Sequence, residues 1–309
     1  MGHDVNDVIK IRCCAADECY PSQPKVASLN KKLKGRVVLP HMYEYINQSH
    51  MYNTNEQRYP SIVSMVNSKE DIKETILFSR KYNLHVTIRS SGHNYLDQTY
   101  NRTIVGGSSH TVTPGGYTLG GGHNPISRSL GYAVDNVLEV QAVLADGRIA
   151  TCTESGCKLE ELDGSTSTDN GDLFWAMRGG GGGTFGVVVY FVFKLHPMPS
   201  GMVIVNTWMP LKIDQYDIDV CGKLLSALGS LVTSMPREWR GYYILRNSKK
   251  IHQGITMTGS LQLAMNKFGP WDGTEENVFE EFINIGKQLQ INVTFTNISS
   301  FWEYEKKRD

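Results

Sequence analysis

Charge of one sign, long apolar runs and metal-ligand spacing are all missing from this chain. Lysine and arginine number 31 and aspartate and glutamate 31 among 309 residues. A chain so balanced lacks the basic footprint with which nucleic-acid binders hold phosphates. It also has no electrostatic reason to adhere to an acidic membrane. No uninterrupted apolar stretch reaches the roughly 20 residues that span a bilayer. The six cysteines, Cys13, Cys14, Cys19, Cys152, Cys157 and Cys221, show neither the C-x-x-C pairs nor the histidine partners of a zinc site, and no metal is expected. The patterns G-x-x-x-x-G-K-[ST], H-E-x-x-H and G-x-S-x-G do not occur, which leaves P-loop, zincin and α/β-hydrolase chemistry without an anchor. The opening residues, MGHDVNDVIKIRCC, hold no apolar core of a secretory signal.

Glycine is the one excess. Of 30 glycines, 18 lie between Gly106 and Gly186. Such crowding lets backbone turn sharply or approach something closely. A flexible linker does not fit, because apolar and aromatic residues interleave throughout. With 40% apolar and 20% charged residues the chain is globular, and its length allows one large domain or two ordinary ones. Cys13, Cys14 and Cys19 could hold a disulfide, and Cys152 with Cys157 could close a small loop; buried or free thiols are the alternative. Four N-x-[ST] triplets, at Asn47, Asn101, Asn292 and Asn297, hint at a secretory route but also arise by chance.

Residues 1–57 read as an irregular N-terminal segment. Residues 61–66 read as a strand. Ser68 followed by Asp71 is a capping-box-like start, with an acidic side chain in place of the usual Glu. Ile72, Ile76 and Leu77 then predict an amphipathic helix to about Tyr82, and residues 85–90 a second strand, making a β-α-β unit. The turns VGG (105–107), PGG (114–116) and GGGH (120–123) read as loops, followed by a short helix over 125–130. Residues 137–151 read as a hairpin turning at Asp146-Gly147, and LFWAMR as a short helix. Residues 187–195 (VVVYFVFKL) carry the strongest strand signal. Beyond Pro199 the spacing predicts strands at 202–208, 241–246 and 254–264 and helices at 215–233 and 274–290.

Gly181-x-Gly183-x-x-Gly186 matches the dinucleotide fingerprint in letters, but that motif needs a strand before it and a helix after it. Here the order is reversed, so a nicotinamide-dependent dehydrogenase is the weaker reading; it requires a helix after Gly186. What remains is a series of glycine turns beside polar residues. Backbone N–H groups in such turns make anion-binding nests suited to the diphosphate of a large flat cofactor. The plainer alternative is that they serve only as turns of a β-rich domain. His93, in a Gly-His-Asn-Tyr loop after a strand, could be an exposed loop side chain or a nucleophile.

Five stretches together have a familiar order: RSSGHNY (89–95), VGGSSHTVTPGGYTLGGGHNPISRSLGYAVDNV (105–137), ADGR (145–148), DLFWAMRGGGGGTFGVV (172–188) and FKLHP (193–197). They resemble the FAD-linked oxidases of the berberine-bridge-enzyme-like group, in the vanillyl-alcohol oxidase / p-cresol methylhydroxylase superfamily. The resemblance implies an α+β fold. A PCMH-type FAD-binding domain of two α+β subdomains would span 58–198, and a partial substrate domain with an antiparallel sheet 199–309. It implies that Arg89, Ser90, Ser91, Gly92 and His93 wrap the pyrophosphate, with His93 bonded covalently to the 8α-methyl of the flavin and Asn94 also among the cofactor-binding residues. Such a link makes the flavin a stronger oxidant, so the protein tunes a cofactor that carries the chemistry. Ser109, Pro114, Gly115, Gly116, Gly120, Gly121, Gly122, Asp135, Asn136 and Val137 match FAD-lining motifs of the family. Gly182 and Val187 fall near the adenine side. Ser109 stands where some members carry a second, flavin-bonding cysteine, so a single covalent link is implied.

Two departures accompany the resemblance. Between Tyr95 and Thr103 the family carries several dozen more residues, and it continues well past position 309. The chain thus reads as an internally shortened and C-terminally truncated member. Its implied activity is an FAD-dependent oxidation of a hydroxyl- or amine-bearing carbon of a small molecule, with dioxygen as acceptor and hydrogen peroxide as product. A carbohydrate or an alcohol would suit as substrate. The alternative is a catalytically inactive FAD-binding-like fragment. No catalytic base is assigned. The family and the sequons together suggest a secretory or extracellular location.

Overall fold

A computed structural model describes residues 12–49, 59–89, 102–107, 112–211, 220–252, 255–300 and 303. In chain order the elements begin with α1 (Gln23–Lys32), β1 (Arg36–Val38), α2 (Tyr45–Ser49), β2 (Val63–Met65) and α3 (Lys69–Lys81). Next come β3 (Arg102–Thr103), α4 (Pro114–Leu119), α5 (Ser127–Leu130) and a 3-10 turn at Ala133–Asn136. Strands β4 (Val137–Val143), β5 (Ile149–Thr153), β6 (Gly156–Glu160) and β7 (Thr166–Asp169) precede α6 (Asp172–Met177), β8 (Val187–Phe193) and β9 (His196–Pro197). The remainder is β10 (Met202–Pro210), α7 (Val220–Ser234), β11 (Trp239–His252), β12 (Ile255–Phe268), α8 (Glu275–Val278), α9 (Glu280–Leu289) and β13 (Phe295–Ile298). No helix among the described residues is long and apolar enough to cross a membrane.

The chain forms two compact units whose segments interleave along the sequence: residues 1–93, 111–121 and 137–194 in one, and 94–110, 122–136 and 195–309 in the other. The first unit holds an antiparallel sheet in the order β7-β6-β5-β4-β8. Leu119, Val140, Ala142, Cys152, Cys157, Phe174 and Met177 pack on one of its faces, and Ile72 with Val143 and Ile149 form a second cluster. The Asp146-Gly147 hairpin turns as its dipeptide predicts, with the Gly147 N–H donating to Leu144 O. Cys152 faces Cys157 across β5 and β6 and is bonded to it, and Cys13 is bonded to Cys19.

The start of α3 uses the cap read from the sequence: the Ser68 hydroxyl accepts the Asp71 N–H. Around it the reading needs correction. Residues 84–89 belong to no strand, and Val86 and Ile88 are exposed. Alternation of β-forming residues is insufficient for a strand without a ladder partner. The partner of β2 comes instead from the segment read as irregular: β1 pairs with it antiparallel, Val38 opposite Val63. Helix α1 packs behind through Val26, Leu29 and Leu33. The unit is therefore not β-α-β at this point.

The second unit is built on an antiparallel sheet ordered β11-β12-β10-β13. Val203, Val205 and Met209 of β10, Leu261, Leu263 and Met265 of β12, and Trp239 form its core with Leu224, Leu228 and Leu231 of α7 and Phe282 and Leu289 of α9. The two short strands predicted at 241–246 and 254–264 are arms of one long hairpin, 14 residues each. Alternation past residue 246 is blurred by the irregularity between Arg246 and Lys249, which hides the continuation from a reading of period alone.

Candidate cofactor site and sheet face

In the first unit three glycine-motif segments converge. The PGG stretch, read as a loop, is the helix α4, with Pro114 at its first position, where a missing N–H costs nothing. Gly115 and Gly116 lie inside α4, and Gly120 ends it by donating to Gly116 O. The neighbouring carbonyl of Leu119 accepts the N–H of Gly181 at 2.9 Å, tying this turn to the five-glycine run. The same run approaches the lead-in to the His93 loop: a Cβ added at Gly183 would lie 3.9 Å from Ile88 Cδ1. At Gly121, Gly179 and Gly182 an added Cβ would meet nothing within 4 Å, so bare backbone faces open space there. The N–H groups of Gly120, Gly121, Gly180 and Gly181 already donate to Gly116 O, Thr118 O, Ala176 O and Leu119 O, so the backbone beside Gly179 and Gly182 is where a diphosphate would fit.

Arg89 donates from its guanidinium to Gln48 O at 2.7 Å. Val137 and Val187 open β4 and β8, and their side chains pack into apolar clusters, leaving only backbone for a ligand. Ser90, Ser91, Gly92, His93, Asn94 and Ser109 lie outside the described residues. The strand β8 directly follows Gly186, which removes the nicotinamide-dehydrogenase reading, since that motif needs a helix there.

In the second unit, residues 122–136 form a self-bonded loop. Gly122 O accepts the Ala133 N–H, and Asp135 Oδ2 accepts the Tyr132 N–H at 2.8 Å. Buried Asn136 donates to Leu130 O and Tyr132 O, while its Oδ1 faces His196 Nε2. The side chains of Asp135 and Asn136 thus hold the turn together. Asn124 donates to Gly106 O, and Arg128 donates to Met235 O and Trp239 O.

Cross-strand register in the same unit creates a face that the sequence reading missed. Trp208 lies opposite Gln262, and Asn206 and Tyr242 lie on either side of Ala264. Gln262 donates to Asn206 Oδ1 at 3.0 Å, and the Arg246 guanidinium sits 5.2 Å over the Trp208 ring. The His123 ring lies 6.3 Å from Tyr242 and 6.2 Å from Tyr132. Aromatic faces interspersed with amides and a guanidinium can hold a polar ring by stacking and hydrogen bonds. The period-2 pattern of β10 and β12 was visible, but which residues share a face across three strands is set by register.

The fold is the α+β fold of VAO/PCMH-type FAD-binding proteins. No family model matches the chain. Among curated relatives, the VAO-type flavoprotein oxidase VAO615 of Thermothelomyces thermophilus is 32% identical over 188 residues, covering 45% of this chain and 30% of that protein. The FAD-linked oxidoreductase patO of Aspergillus clavatus is 27% identical over 278 residues, covering 60% and 46%. Among solved structures, the VAO-type flavoprotein MtVAO615 of Myceliophthora thermophila superposes with a TM-score of 0.72 at 21% identity, over 95% of this chain and 67% of that one. A BBE-like protein of Physcomitrella patens gives 0.65 at 18%, over 88% and 62%. A xylooligosaccharide oxidase of M. thermophila in complex with xylobiose gives 0.68 at 20%, over 91% and 63%. The homologues of this chain are VAO-type FAD-linked oxidoreductases, and its fold is shared with the BBE-like group. The chain spans less than half the length of these two curated relatives.

Proposed function

We propose that this chain binds FAD and serves a flavin-dependent oxidation of a hydroxyl- or amine-bearing carbon, with dioxygen as the electron acceptor and hydrogen peroxide as product. The observation that carries this reading is the convergence of the α4 turn, the 179–183 glycine run and Ile88, with backbone at Gly121 and Gly182 facing open space. Residues 58–198 would form the FAD-binding part and 199–309 part of the substrate domain. Backbone N–H groups of the glycine turns would hold the diphosphate oxygens. His93 would anchor the cofactor covalently at the 8α-methyl. Bound FAD would supply the hydride acceptor and the route of electrons to dioxygen.

The sheet face supports a polar, ring-shaped substrate. Trp208 and Tyr242 would stack against its apolar faces, while Asn206, Gln262 and Arg246 would hydrogen-bond its hydroxyl groups. A carbohydrate or related alcohol meets that description, and the structural neighbour in complex with xylobiose is consistent with it. No base is assigned among the described residues.

Acid precipitation of the purified protein tests the reading. Flavin fluorescence is expected to stay in the pellet and to be lost in His93→Ala; a colourless, flavin-free protein from a riboflavin-supplied culture would refute the proposal. A second reading, a non-catalytic FAD-binding-like fragment, is favoured by the direct junction of the RSSGHNY and VGG stretches, where the family carries several dozen more residues. Peroxide production on a panel of sugars and alcohols excludes it.

A further inference from the structure

We propose that the segment 292–299 is a site of N-linked glycosylation, with Asn292 and Asn297 as acceptors. The structure discriminates among the sequence triplets. Asn47 lies in helix α2, and the hydroxyl that its triplet requires, on Ser49, is buried and donates back to Ile46 O at 3.3 Å. Asn292 is exposed in the extended stretch between α9 and β13, and Thr294 beside it is exposed too. Asn297 is exposed on β13, and the exposed Ser299 hydroxyl lies 2.7 Å from the Glu303 carboxylate. Asn101 lies outside the described residues.

A separate observation points to the compartment where such chemistry occurs. Four of the six cysteines are paired, Cys13 with Cys19 and Cys152 with Cys157, and such bonds persist in oxidising compartments of the secretory route. There the co-reactant is a lipid-linked oligosaccharide diphosphate. The side-chain amide nitrogen bonds to the anomeric carbon, the anomeric carbon–oxygen bond breaks, the lipid diphosphate leaves and the amide gives up one proton. No electrons are exchanged.

Peptide mapping of the protein isolated from its own producing cells tests this, after enzymatic deglycosylation in heavy-oxygen water. The expected result is conversion to labelled aspartate at Asn292, Asn297 or both, with Asn47 unconverted. Unmodified peptides at both positions, or a glycan at Asn47 alone, would overturn the proposal.

Discussion

Asp71 is 1% exposed, yet it is charged and fully engaged. Its carboxylate accepts the N–H groups of Lys34 (2.8 Å), Gly35 (2.9 Å) and Asn67 (2.9 Å). Burial pushes this carboxyl up, but the backbone donors outweigh it and hold it below the usual aspartate range. A depressed folded value means that the stabilisation is present above the unfolded value of about 3.9 and is lost as pH falls through the folded value. Asp71→Asn is expected to cost about 1–3 kcal/mol at neutral pH and to flatten the acid limb of urea-unfolding stability against pH. Lys267 is a second such case. Its ammonium lies 2.8 Å from Glu275 and 2.6 Å from Asp272, with Glu275 fully buried. Burial pulls the lysine down, but the hydrogen bonds of Asp272 and Glu275 hold it above its ordinary value; Glu275 is held below its own, chiefly by Lys267 against the cost of burial. Removing one partner of a buried pair leaves an uncompensated charge. Lys267→Met is therefore expected to cost about 3–5 kcal/mol in denaturant unfolding, with part recovered in Lys267→Met/Glu275→Gln.

The hairpin of β5 and β6 is closed by Cys152 and Cys157, directly opposite each other and almost without solvent access. The double variant Cys152→Ala/Cys157→Ala is expected to lose about 2–4 kcal/mol, read as a fall in the thermal midpoint. At the start of β8, Gly186 has φ +156°, and a Cβ there would come within 2.8 Å of Val143 O. The third glycine of the dinucleotide-like pattern thus serves the passage of one strand against another. Gly186→Ala is expected to destabilise by roughly 1–3 kcal/mol, measured by chemical denaturation. These elements differ in how plainly they announce themselves. The cap of α3 and the strand β8 are local, and a reading of Ser68, Asp71 and VVVYFVF finds both. The stretch 84–89 carries similar letters but acquires no ladder, and β1, only three residues long, is invisible until β2 is seen beside it.

For the molecule as a whole, the cofactor proposal makes a prediction that separates binding from folding. At Gly182 an added Cβ meets nothing within 4 Å, so Gly182→Ala is expected to keep the unfolding midpoint within about 0.5 kcal/mol of the parent. It is also expected to lower the flavin retained per protein, measured from absorbance after gel filtration. Equal flavin content would argue that the glycine run does not face the cofactor. The clustering of glycine in this region was legible beforehand, because residue type is local, although the PGG stretch proved to be the helix α4 and not a loop. The order of those motifs along the chain also named the right homologues. The loop-holding hydrogen bonds of Asp135 and Asn136, and the polar face made by Asn206, Trp208, Tyr242 and Gln262, carry no signal in the sequence.

The division has one physical cause. The cap of α3, the Asp146-Gly147 turn and the run at 187–193 are decided by neighbours within a few residues, and for these the letters alone suffice. Which thiols bond, which three backbone donors converge on Asp71 and which side chains share a sheet face depend on strand register and on contacts between distant segments. A one-residue slip in register would turn every side chain of a strand to the other face, so the folded arrangement had to choose them.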